Sequence, residues 1–82
     1  MGKNLIEERI VTNNKTFAGK PTIRDTRVAV EHVLGMMADG ATEQDILENY
    51  PFLEKEDIRA CILYAQNIVS HERIETLHKS VS

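Results

Sequence analysis

The sequence predicts a mainly α-helical fold in a single domain spanning residues 1–82. A short β arm over residues 1–29 leads into a helix-turn-helix-like trio of helices over residues 30–82, the last of them extended. Three observations predict it. Short strand-like pieces separated by turn residues occupy the chain before Val30, the apolar spacing becomes helical from Val30 onward, and Gly40 and Pro51 divide that periodic stretch into three. A chain of 82 residues has room for one hydrophobic core, because domains of this size bury only roughly 60 to 65 % of their unfolded surface.

In the arm, Ile10 and Val11, then Thr22, Ile23 and Arg24, then Arg27, Val28, Ala29 and Val30 have strand-like composition. Asn13-Asn14, Gly19-Lys20-Pro21 and Asp25-Thr26 separate them as turn signals. Two or three short strands are expected. Pro21 lacks an amide hydrogen and belongs at a strand start or an edge, so the arm presents an edge able to pair with a second chain.

Val30, Val33, Leu34 and Met37 define the first helix of the trio, and Gly40 follows where a left-handed C-terminal cap is wanted. Thr42 with Asp45 three residues on approximates a capping box. Ile46, Leu47 and Tyr50 then give the apolar stripe of a second helix about two turns long, which Pro51 ends. The third helix begins near Glu54 or Lys55, carries Ile58, Cys61, Ile62, Ala65, Ile68 and Val69 on one face, and continues through Ile74 and Leu77. Unbroken, it is about 35 Å long at a rise of about 1.5 Å per residue. Two short helices cover only its first half. Val69, Ile74 and Leu77 therefore need a partner, and self-association provides one, since each such side chain stabilises by roughly 1.5 to 3 kcal/mol when buried. A frayed, solvated end is the alternative.

Hydrophobic residues make up 41 % and charged residues 28 % of the chain, which indicates neither disorder nor a fibrous repeat. Cys61, the single cysteine, falls in a periodic apolar run and reads as a buried, inert thiol in a reducing compartment, so a cytoplasmic location is expected. The N-terminal run lacks the apolar stretch of a signal peptide, and no segment approaches the roughly 18 apolar residues of a spanning helix, so no membrane association is expected. Gly2 does not open a myristoylation motif, because Ile6 stands where Ser or Thr is required. The net charge of −3 is unevenly placed. Residues 1–30 hold six basic and three acidic side chains, whereas residues 31–82 hold four basic and ten acidic ones. The basic part suits an anionic partner and the acidic part a basic one.

Catalytic and cofactor chemistry find little support. Gly19-Lys20 is not a phosphate-binding loop, since Asn14 and Pro21 occupy positions that motif reserves for Gly and a hydroxyl residue. His71 and His78 stand seven residues apart, about 10.5 Å along a helix and too far to share one zinc ion, and His32 is isolated. No nucleophile can be set against a histidine and an orienting carboxylate from spacing alone. Glu43, Asp45, Glu54, Glu56 and Asp57 sit where helix starts favour acids. The chain is expected to be no enzyme and to need no metal or cofactor. A DNA-reading helix-turn-helix would aim the first residues of the third helix at base edges, but Glu54, Glu56 and Asp57 oppose a phosphate-lined groove. The DNA-contact candidates are therefore Lys20, Arg24 and Arg27 on the arm, assisted by Lys55 and Arg59.

Gly19-Lys20-Pro21-Thr22-Ile23-Arg24-Asp25-Thr26-Arg27-Val28-Ala29-Val30, the run from Asp39 through Tyr50-Pro51, and Asp57-Ile58-Arg59-Ala60 together resemble the family known as domain of unknown function 433, grouped with VapB-like antitoxins. The resemblance extends from about Arg9 to Ala65. It implies a homeodomain-like helix-turn-helix core after a short β arm, and a place beside a PIN-like ribonuclease toxin in a bacterial toxin-antitoxin pair. Asp25 stands where such proteins commonly have Gly, and Glu54 where a Thr cap is common. The resulting expectation is a homodimeric antitoxin-type module that neutralises that toxin protein and also binds its own promoter DNA. The rival expectation is a protein-association module without DNA contact. Val69, Glu72, Ile74, Glu75 and Leu77 are the expected partner-binding residues, because they mix apolar anchors with acids that oppose a basic, RNA-attracting groove.

Overall fold

The computed structural model describes residues 4–12 and 19–81, with side chains described as far as Ser70. The chain runs α1 (Leu5–Arg9), β1 (Ile10–Val11), β2 (Thr22–Ile23), α2 (Val30–Ala38), α3 (Glu43–Asn49) and α4 (Lys55–Val81). It is mainly helical with one small antiparallel sheet. The expected trio of helices is α2, α3 and α4, but a fourth helix precedes the sheet, which corrects the helix count.

That extra helix, α1, has a local cause. The Asn4 side chain accepts the Ile6 amide at 2.8 Å, Glu7 and Glu8 lie in the first turn, and Arg9 lies in the last. Each residue sits where a helix end favours it. Five residues are far below the length at which a helix persists alone in water. Packing against α4 holds it in place.

The arm forms two strands where two or three were expected. Ile10 faces Ile23 and Val11 faces Thr22 in the antiparallel pair, and the Arg24 amide extends the ladder to the Arg9 carbonyl at 2.9 Å. The third strand-like piece is reduced to a single bridge between Thr22 and Ala29. The chain turns back too soon for more. Asp25 adopts φ 61°, in the left-handed region, and the Thr26 hydroxyl donates to the Ile23 carbonyl while accepting the Val28 amide. Asp is among the few side chains that tolerate this backbone conformation.

The caps of α2 and α3 follow the sequence closely. Gly40 has φ 103°, and the amides of Gly40 and Ala41 donate to the carbonyls of Met37 and Met36 at 3.0 Å each. This pair of reversed bonds is a Schellman motif. Thr42 and Asp45 close a reciprocal capping box at the start of α3. Ile23, Val28, Val30, Val33, Ile46, Leu53, Ile58 and Cys61 form the core where sheet, α2, α3 and the first turns of α4 meet. Ile62, expected on the buried face of α4, is instead 42 % exposed.

Two glycines test this account with opposite signs. An added Cβ at Gly35, inside α2, or at Gly40 meets nothing within 4 Å, but only Gly40 has positive φ. Gly35→Ala is expected to stabilise the fold of the dissociated single chain by about 0.5 to 1 kcal/mol, because Ala is the better helix former. Gly40→Ala is expected to destabilise it by about 1 kcal/mol, because the left-handed cap is strained by a side chain. Urea denaturation of the two variants measures both.

Candidate binding surfaces

The first turn of α4 is tied to the arm by charge. The Asp57 side chain accepts the backbone amide of Glu54 at 2.8 Å, capping the helix from within. Its other oxygen accepts Arg9 Nη1 at 3.0 Å. The Glu54 side chain, freed from capping, accepts the same Nη1 at 2.5 Å. The hydrogen bonds that Arg9 donates to Glu54 and then to Asp57 hold its guanidinium more firmly charged than usual, against the opposing effect of burial. The Arg9 side chain is only 18 % exposed, and its Nε is buried without a hydrogen-bond partner among the described residues. Spacing could not reveal this cluster, because Arg9 lies 45 residues from Glu54.

The five DNA-contact candidates fall on separate surfaces. Lys20 and Arg27 line an open groove over α2 together with Glu31, His32, Gly35 and Asp39, and Lys20 Nζ pairs with Glu31 at 3.0 Å. Lys55 and Arg59 line a second groove between α1 and α4, beside Glu43 and Glu56. Arg24 is exposed in the turn after β2. Carboxylates accompany the cations in both grooves.

On α4 the apolar stripe outlasts the core. Ile58, Ala60 and Cys61 are buried, whereas Ile62, Ile68 and Val69 are 42 %, 44 % and 54 % exposed. Ile62, half-buried Ala65 and Val69 follow at helical i, i+3 and i+7 spacing along one face. Of the expected partner-binding residues, Val69 is thus exposed on α4. Glu72, Ile74, Glu75 and Leu77 belong to the same helix, but their side chains lie outside the described residues.

A third surface escaped the sequence reading. His32 Nε2 and Tyr50 Oη are hydrogen-bonded at 2.9 Å. The His32 and Tyr50 rings meet edge-to-face, as do those of Tyr50 and Phe52. Phe52 is 61 % exposed. Among the described residues no group of three His, Cys, Asp or Glu side chains could hold a metal ion, and no helix is long and apolar enough to cross a membrane.

Comparison with known proteins adds the following. The family model for DUF433, a protein of unknown function, matches residues 10–65. The chain is similar to the uncharacterized protein y4eO of Sinorhizobium fredii, with 34 % identity over 59 residues. That alignment covers 72 % of this chain and 27 % of the relative, so the chain spans only about a quarter of that protein's length. The crystal structure of a DUF433 member protein from Anabaena variabilis matches with a TM-score of 0.70 and 30 % identity, covering 84 % of this chain and 69 % of that one.

Removing the guanidinium in Arg9→Ala leaves the Asp57 carboxylate buried without its cation, and is expected to cost about 2 kcal/mol in urea denaturation. Glu54→Gln, at a position 62 % exposed, is expected to cost under about 1 kcal/mol. Burial, reinforced by the nearby Asp57 charge, pushes the Cys61 thiol up to about 12. A thiol reagent at mildly alkaline pH is therefore expected to modify Cys61 only after the protein is unfolded, and labelling of the native protein at the rate of a free thiol would contradict its burial.

Proposed function

The chain belongs to the DUF433 family, and on that premise we propose that it is a non-catalytic, antitoxin-type module that neutralises a PIN-like ribonuclease toxin in the cytoplasm. Action as a homodimer belongs to the same reading. So does the homeodomain-like arrangement that the resemblance implies, carried by α2, α3 and α4.

The observation that supports this reading best is the emergence of the α4 stripe from the core. Ile62, Ile68 and Val69 are each about half exposed, so covering them by a partner stabilises a complex by about 1 kcal/mol apiece. Glu72 and Glu75 follow in the sequence with Ile74 and Leu77. Apolar anchors beside acids suit the basic surface that an RNA-cleaving enzyme needs to attract phosphate. Promoter DNA is the subordinate target. Lys20, Arg27, Lys55 and Arg59 share their grooves with carboxylates, whereas Arg24 lines neither groove and is exposed in the turn after β2.

Ile68→Glu combined with Val69→Glu tests the main reading in the full chain. Both positions are exposed, so the circular dichroism spectrum and melting temperature should not change. Co-purification with the nuclease encoded beside it, and relief of that nuclease's growth arrest, should be lost. Undiminished co-purification would remove α4 as the inhibitory surface. For DNA, Arg24→Ala should lower the slope of log affinity against log salt by about one unit, and an unchanged slope excludes the turn as a contact.

A further inference from the structure

Two features of α2 serve nothing among the described residues. Gly35 sits in the interior of α2, where glycine weakens a helix, and an added Cβ there would meet no atom within 4 Å. Asp39 caps the C-terminus of α2, whose last turn carries no basic residue. A carboxylate there coincides with the negative end of the helix dipole, and no ion pair relieves it among the described residues. Both residues line one open groove of about 800 Å³.

The charges in that groove are arranged by end. Lys20, Arg27 and Glu31 lie towards the start of α2 and sum to one positive charge, while Asp39 supplies one negative charge at its finish. Reversing the direction of this pattern gives its own complement. An object that places a carboxylate against Lys20 and Arg27, and cations against Asp39, has the surface of α2 itself run antiparallel. Self-complementarity of this kind is the requirement for a two-fold symmetric interface.

We infer that α2 is a self-association face, on which a second copy of this chain packs antiparallel across Gly35. The partner's Asp39 enters the Lys20 and Arg27 end of the groove, and the reverse contact forms at the other end. Gly35 at the crossing point lets the two helix backbones approach closely, which is what its missing Cβ provides. Half-buried Met36 supplies an adaptable apolar contact beside it. His32, held edge-to-face by Tyr50, joins the groove to the exposed Phe52 and adds the aromatic flank common at interfaces. The inference rests on the homodimer of the proposed reading but needs no nuclease, and it uses a surface distinct from the α4 stripe.

Equilibrium sedimentation of the full chain at micromolar concentration tests it, with twice the chain mass expected. Asp39→Lys and Arg27→Glu are exposed changes, and the first places a cation where a helix end favours one. Each should weaken the dimer about tenfold or more, and the double variant, which restores opposite charges across the axis, should recover it. Gly35→Cys should form an intermolecular disulfide on oxidation, which requires Cα atoms within about 7 Å and so a crossing at this residue. Cys61 is fully buried and does not compete. A monomeric wild type, single charge variants within about twofold of wild type, or failure of the double variant to recover each overturns the proposal. A dimer lost in Ile68→Glu but unaffected by the charge variants places self-association on α4 instead.

Discussion

The Arg9 guanidinium bridges the end of α1 and the start of the longest helix. Asp57 caps α4 with one oxygen and meets Arg9 with the other, and Glu54 completes the cluster. Breaking a largely buried charge pair costs more than the pair itself contributes, because the remaining charge is left without compensation. The contact therefore fixes register more than it adds stability. It sets β1 beside α4, and through the pairing of β1 with β2 it sets the turn at Asp25 and the entry into α2. The one-turn helix α1 packs chiefly on this side of α4.

The same cluster changes what the start of α4 can do. In a helix-turn-helix that reads DNA, the first turn of the second helix must be free to face base edges. Here Asp57 is buried and Glu54 is turned back to Arg9, while Lys55 and Arg59 look into a groove with Glu43 and Glu56. The carboxylates that oppose DNA in the sequence are partly neutralised by Arg9, but the neighbouring cations are not thereby gathered into one positive face.

Among the described residues the α4 stripe and the α2 groove both offer contacts to a partner, and they differ in kind. The α4 stripe is apolar and continues the core's own periodicity past the point where other elements can reach it, so it offers area without orientation. The α2 groove combines ordered charge with a glycine in the middle of the helix, so it offers direction. Apolar burial supplies most of the free energy of association, whereas charge complementarity and close approach select the partner and its register. A chain of this size can hold both surfaces because only the first turns of α4 enter its core.

Local chemistry was legible in the sequence. The Gly40 cap, the Thr42 and Asp45 box, the stop at Pro51, the two strand pieces and the start of α4 all depend on residues within four positions of one another, so spacing was enough to place them. The family resemblance likewise rested on contiguous runs, and the match over residues 10–65 agrees with it. The tertiary structure decided the rest. Asn4, Glu7 and Glu8 suit a helix start, but so short a helix persists only because α4 lies beneath it. The Arg9 cluster and the His32, Tyr50 and Phe52 ledge join residues far apart in sequence, and no periodicity encodes such contacts. Ile62 sits on the apolar stripe yet lies open, because burial depends on what is packed opposite a helix and not on the helix's own pattern.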